Sequence, residues 1–183
     1  MPKKKKTEEI KKIEFPEQYM VIAADLSLRR PGWCVLKMYN GKPYVANLFS
    51  LDNKGKKNKT HGQILSEIYE IFYNNVISNL NIMPSCFFVR EKSIMHMMTP
   101  AERDVTKVVG LMDFMLLDRE WDEIYPVTVK KLVAGSGKAE KEEVAAALEK
   151  YVGKISYKCD DESDATAVAI AWLILHGQLE EKQ

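Results

Sequence analysis

Four carboxylates of this 183-residue chain stand where acidic side chains could act together. Asp25 closes the apolar run "YMVIAAD" (19–25), and Glu91 closes "SCFFVRE" (85–91). Asp161 and Asp164 open the segment "CDDESDATAVAIAWLIL" (159–175), three residues apart, a spacing that sets two side chains on one face of a helix. Asp160 and Glu162 point elsewhere on that geometry. Carboxylates brought to one place repel at neutral pH unless cations neutralise them. All-oxygen donors suit hard divalent ions such as Mg²⁺ or Mn²⁺, and the lack of a neighbouring His/Cys cluster argues against zinc. Two such ions about 3.5–4 Å apart form the clamp used for in-line attack of water on a phosphodiester. The residues alone leave a plainer alternative open. Acidic side chains in a first helical turn are dipole partners worth about 0.3–1 kcal/mol, and an aspartate at a strand end is often structural.

The elements that must position these residues follow from periodicity and turn chemistry. "YMVIAAD" (19–25), "WCVLKMY" (33–39) and "KPYVANLFS" (42–50) are β-prone, and Asn40-Gly41 between the last two is a strong hairpin signal. The domain therefore opens as an antiparallel meander of three strands. Ile64, Leu65, Ile68, Phe72 and Val76 recur at helical spacing over 62–80. Residues 85–91 make a strand, and 100–118 a helix with Thr99 as cap and Pro100 in its first turn. A short strand is expected over 121–127, then a helical piece from Thr128. A glycine-rich turn leads to a helix carrying Val144, Leu148 and Tyr151, and a last helix covers about 162–180. This order predicts one α/β domain with a mixed sheet. In such sheets ligands gather at the carboxyl ends of strands, so parallel central strands would set Asp25 and Glu91 side by side.

Composition narrows the class. An apolar share of 46% and a charged share of 29% describe an ordinary globular protein, and no run approaches the roughly 20 apolar residues of a membrane span. Cys34, Cys86 and Cys159 are widely spaced and odd in number, as expected of free thiols in a reducing cytoplasm. The net charge of +1 hides two lysine-rich runs. One is the segment 1–16, read as a basic flexible arm before a domain over 17–180. The other is the loop holding Lys54, Lys56, Lys57 and Lys59. Either is ordinarily a solvated segment, but together they suit a polyanionic partner.

In order along the chain, "VIAADLSLRRPGWCVL", "FFVREKS", "VTVKKLVAGSGKAEKEEV" and "DDESDATAVAIAWL" resemble the motifs of the RuvC-type Holliday junction resolvases of the RNase H-like superfamily. The resemblance covers about residues 20–176, and "GSGKAEKEEV" followed by "DESDATAVAIA" is its most specific part. It implies an RNase H-like domain whose five-stranded sheet, three antiparallel and two parallel strands, is flanked by helices. It implies a homodimer that cuts four-way DNA by Mg²⁺-dependent hydrolysis, with Mn²⁺ able to substitute and two ions per site. Carried over by motif, Asp25, Glu91, Asp161 and Asp164 are the catalytic and metal-binding carboxylates. Lys130 and Lys141 occupy positions where the family places lysines near the scissile strand, and Lys138 in the turn before Lys141 is a further candidate DNA contact.

The chain departs from the family pattern in three places. It reads "AADLS" where family members usually have "GIDPG", so the loop after Asp25 is expected to differ in shape. "EKSIMHMM" lacks the aromatic that often wedges into the junction, leaving Ile94 or a nearby Met to serve, with Met95, Met97 and Met98 otherwise filling a core or dimer interface. The added lysines fit a phage-type branch acting on several branched DNAs without a helicase partner. Gly110 suits close packing against a partner helix, and His61, His96 and His176 read as satisfied or solvated. Arg29 and Arg30 are either solvated or within reach of a phosphate. The competing class is a branched-DNA-binding protein whose altered first motif has silenced catalysis. No membrane role is expected, and the setting is the cytoplasm of a bacterium or a phage-infected one.

Overall fold

The structure is a computed structural model that describes residues 13–55, 58–81, 85–93 and 99–181. Five strands form one mixed sheet in the order β3-β2-β1-β4-β5. β1 (Gln18–Asp25), β2 (Gly32–Tyr39) and β3 (Lys42–Ser50) make the antiparallel meander, turning at Asn40-Gly41 with positive φ at both. β4 (Ser85–Glu91) lies parallel to β1 on its other side, and β5 (Asp122–Ile124) parallel to β4. This is the five-stranded sheet expected of an RNase H-like domain.

Helices cover both faces. α1 (His61–Asn75) and α2 (Pro100–Leu116) lie on one side, each started by a threonine capping box, Thr60 with Gln63 and Thr99 with Glu102. α3 (Pro126–Ala134), α4 (Lys141–Val152) and α5 (Asp160–Leu175) lie on the other. α5 is the axis of that layer. Every residue from Ala165 to Ile174 is buried, and four of them are alanines, which lets sheet and helices approach from several sides. Trp172 Nε1 donates to Asp122 Oδ2 at 2.8 Å, fixing the far half of α5 to the edge strand.

Several boundaries differ from the sequence expectation. α5 starts at Asp160 and stops at Leu175, with Gly177 at positive φ just beyond, rather than spanning 162–180. β5 is only three residues long because Pro126, which lacks an N–H for the ladder, begins α3 instead. Ile13 packs against the core, and the Phe15 ring lies 5.0–5.9 Å from those of Tyr19, Phe87, Trp172 and His176. The end of the expected arm 1–16 is therefore part of the domain, while residues 1–12 lie outside the described residues. So do Lys56, Lys57, Ile94, Met95, His96, Met97 and Met98. Among the described residues, no helix is long and apolar enough to cross a membrane.

Candidate active site

Strand alternation decides which side the carboxylates occupy. Along β1, Tyr19, Val21 and Ala23 face the α5 layer, whereas Ile22 and Ala24 face α1 and α2. Asp25 continues the first series. Along β4, Phe87 and Val89 face α5 and Phe88 faces away, so Glu91 also falls on the α5 side. The parallel register pairs Ala24 with Arg90, which sets Asp25 and Glu91 at the next step, on neighbouring strand ends. Arg90 points to the opposite layer, where it bonds Asp113 at 2.6 Å and Glu123 at 3.0 Å.

Asp25 and Glu91 line a cleft of about 210 Å³ together with Asp164 from α5, Lys130 from α3 and Lys141 from α4. Pro126, Val129, Val144 and Ala167 form its apolar walls. Burial, then the charges of Glu91, Asp164 and Asp161, push the Asp25 carboxyl from its ordinary 3.8 up to about 7. Burial and Asp164 likewise raise Glu91 from 4.5 to about 7, against the opposing pull of Lys141 and Lys130. Lys141 Nζ donates to Asp164 Oδ2 at 2.6 Å. Burial works against its ammonium, but that bond and the charges of Asp164, Asp160 and Asp25 outweigh it and hold Lys141 above the ordinary lysine value.

Asp161 is placed differently. Its side chain is 17% exposed and does not line the cleft. Its Oδ2 lies 2.9 Å from an Arg30 guanidinium nitrogen, an ion pair that raises Arg30 above its usual value. The contact lacks hydrogen-bond alignment, so the buried Oδ2 has no true hydrogen-bond donor. Arg30 belongs to the loop after β1, which is tied down by backbone. The Asn53 amide donates to the Arg29 carbonyl at 2.8 Å, Leu51 to Pro31 at 3.1 Å, and the Arg30 amide to Ser27 Oγ at 2.9 Å. Gly32 ends this loop directly against α5, where a Cβ would sit 2.3 Å from the Asp161 carbonyl oxygen. The loop after Asp25 is thus seated on the helix that carries Asp161 and Asp164.

Of the remaining candidates, Lys138 is exposed in the turn before α4, its amide bonded to Ser136, and stands apart from the cleft. Lys59 pairs with Glu67 and with Asn53, so this lysine of the basic loop is engaged within the chain. Glu162, expected to be a bystander, is 1% exposed. It accepts from the Ser50 hydroxyl at 2.7 Å and the Lys158 amide at 2.9 Å, locking the start of α5 to β3. The Arg30–Asp161 pair was the part sequence reasoning missed, and an arginine pair before Pro-Gly in a loop beside an acidic helix start was its only signal.

Among the described residues, no group of three or more His, Cys, Asp and Glu side chains stands ready to hold a metal ion. Arg30 and Lys141 engage two of the four expected carboxylates. The donor chemistry nevertheless fits a hard divalent cation. All four are oxygen donors, Asp161 Oδ2 lacks a hydrogen bond, and burial and neighbouring carboxylates push Asp25 and Glu91 up to about 7, a cost that a cation would offset.

No protein-family model matches the chain. Its sequence is 29% identical over 163 residues to the crossover junction endodeoxyribonuclease RuvC of Prochlorococcus marinus strain MIT 9312, covering 84% of this chain and 95% of that relative. The protein of the same name from Prochlorococcus marinus subsp. pastoris (strain CCMP1986 / NIES-2087 / MED4) is 28% identical over 158 residues at the same coverage. Among solved structures, Thermus thermophilus RuvC in complex with a Holliday junction substrate superposes with a TM-score of 0.71 at 18% identity, covering 84% of this chain and 92% of that one. The chain is similar to RuvC in sequence and in fold. The yeast mitochondrial Holliday junction resolvase Ydc2 shares the fold more distantly, with a TM-score of 0.59 at 14% identity over 91% of this chain and 82% of that one. The RuvC-like fold accounts for the cleft at the carboxyl edge of β1 and β4, where the strand order reverses around β1.

Proposed function

We propose that this protein is a metal-dependent, structure-specific endonuclease that resolves four-way DNA junctions by paired phosphodiester hydrolysis. The observation that carries the reading is one cleft lined by Asp25, Glu91, Asp164, Lys130 and Lys141, at the strand ends where the sequence motifs converge. Asp25, Glu91 and Asp164, joined by Asp161, would hold Mg²⁺. When bound, Mg²⁺ supplies activation of a water for in-line attack and stabilisation of the leaving 3′ oxygen. Lys130 and Lys141 hold the phosphate over the carboxylates and stabilise the negative charge that grows during attack. Asp25 and Glu91, fixed on adjacent strands, keep their spacing while the lysines adjust. The apolar walls restrict bulk water and strengthen each of these interactions.

Paired cuts in opposed strands call for two sites, so the working unit is a homodimer. Its contact surface is the outer face of α2, where Phe114 is 68% exposed, Leu117 just past the helix is 78% exposed, and open space lies over Gly110. These three recur at four and three residues, as one stripe would.

The test is incubation with labelled four-way, three-way and linear DNA in Mg²⁺, with cuts mapped on every strand. Symmetric nicks confined to the four-way substrate are expected of a strict resolvase, and nicks in every branched form of a relaxed, phage-type one. Asp25→Asn and Asp164→Asn abolish nicking while junction binding persists in EDTA. Wild-type protein that binds junctions but nicks nothing in Mg²⁺ or Mn²⁺ would instead be a branched-DNA-binding protein.

A further inference from the structure

Two cations of the chain sit where they compete with a metal ion for the same carboxylates. Arg30 lies 2.9 Å from Asp161, and Lys141 lies 2.6 Å from Asp164. Both are anchored at their backbones but open at their tips. Arg30 leaves a loop bonded to Ser27 and to residues 51–53, and its side chain is 30% exposed. Lys141 is the first residue of α4, and its side chain is 57% exposed. Such groups hold a carboxylate only until a stronger anion arrives. A DNA phosphate offers bidentate acceptance to a guanidinium and a full charge to an ammonium. Moving Arg30 from Asp161 to a phosphate leaves the buried Oδ2 with no cation at all, the situation a divalent ion relieves.

We propose that Arg30 and Lys141 are internal counter-ions that occupy Asp161 and Asp164 in the free protein and transfer to a DNA phosphate, so that divalent-cation uptake is coupled to DNA binding. Arg30 is a positioning residue here, since it acts through Asp161. The coupling is reciprocal: the phosphate strengthens metal binding, and the metal, by excluding the two cations from the carboxylates, strengthens phosphate binding. The free protein takes up metal weakly, which limits nicking to a site where DNA is already engaged. The proposal rests on the cation-binding role given to the four carboxylates above.

The experiment is calorimetric titration of Ca²⁺ into the full chain, alone and saturated with a four-way junction verified as uncut on a gel. For wild type, the junction should tighten Ca²⁺ binding about tenfold, the scale of one charge-assisted hydrogen bond released. Arg30→Met alone should already bind Ca²⁺ about threefold more tightly than wild type, with the junction adding only the share that Lys141 still holds back at Asp164. Arg30→Lys, which keeps a cation at Asp161, should restore weak binding. Arg29→Met removes the same charge one residue away and should change affinity less than about twofold, given its exposed, screened position. Wild-type affinity in free Arg30→Met protein, or equal tightening in Arg29→Met and Arg30→Met, overturns the counter-ion role. Absence of Ca²⁺ uptake by every protein, with or without DNA, overturns the metal-site reading itself.

Discussion

Replacing Asp25 by asparagine should make the metal-free protein more stable, and by an amount that depends on pH. In the folded chain the Asp25 carboxyl is raised from 3.8 to about 7 by burial and by Glu91, Asp164 and Asp161. Between those values the native state binds more protons than the unfolded chain, so stability falls as pH rises through the window, with the loss complete above about pH 7. Roughly three decades in proton affinity correspond to about 4 kcal/mol at about 1.4 kcal/mol per decade. Relaxation around the site and the share of the repulsion borne by Glu91 reduce the recoverable part to about 2–4 kcal/mol. At about 2–4 °C per kcal/mol for a chain of this size, Asp25→Asn should melt roughly 4–16 °C above wild type at pH 8 in EDTA. The difference should shrink as pH falls and approach zero only below about pH 3.8, where Asp25 becomes protonated in the unfolded chain as well as in the folded one. The assay is thermal unfolding by circular dichroism from pH 4 to pH 8, repeated with Mg²⁺, which should raise wild type more than the variant. A melting difference independent of pH, or a variant less stable than wild type at pH 8, would refute the claim that repulsion and burial of this carboxylate strain the fold.

Other expected outcomes test separate parts of the site. Gly32→Ala forces a Cβ to within 2.3 Å of the Asp161 carbonyl oxygen, so urea unfolding should show a loss of about 1–3 kcal/mol from overpacking. Glu162→Ala leaves the Ser50 hydroxyl and the Lys158 amide without their buried acceptor and should cost about 1–3 kcal/mol in the same assay. Phe114→Asp places a charge in the exposed stripe of α2 and should shift the protein from dimer to monomer in sedimentation velocity while its circular dichroism spectrum stays that of the folded chain.

How far the site was legible follows from the physics of each residue. Asp25 and Glu91 could be read because strands buried on both faces appear as unbroken apolar runs, and a carboxylate ending such a run stands out. Their adjacency depended on β1 and β4 pairing in parallel, which the sequence left as a condition and the register meets. Lys130 and Lys141 line the cleft, whereas Lys138, in the turn just before Lys141, does not. Sequence spacing does not tell which of two lysines a helix start will aim inward. Glu162 does not line the cleft, but its burial was not legible for a related reason. Helical geometry separates its face from that of Asp161 and Asp164, but α5 is enclosed on nearly all sides, so the other face is interior too. The ion pair of Arg30 with Asp161 joins distant parts of the sequence through a loop shape that no local pattern encodes. Residue bounds slipped where one residue type ended an element early, as Pro126 did for β5.

The alternation along β4 also limits how this gene can change. Glu91 faces the cleft and Arg90, its neighbour in the chain, faces the opposite layer with Asp113 and Glu123. A single codon inserted or deleted within Ser85–Val89 would turn every later residue of the strand through half a turn. The guanidinium would then enter the cleft, and the carboxylate would meet two others on the far side. Substitutions in this strand can be tolerated one at a time, but length changes cannot. Paired insertions of two residues would restore the facing only by lengthening a strand already bounded by its partners. Descendants of this chain should therefore vary in the loops on either side of β4 and keep the number of residues within it constant.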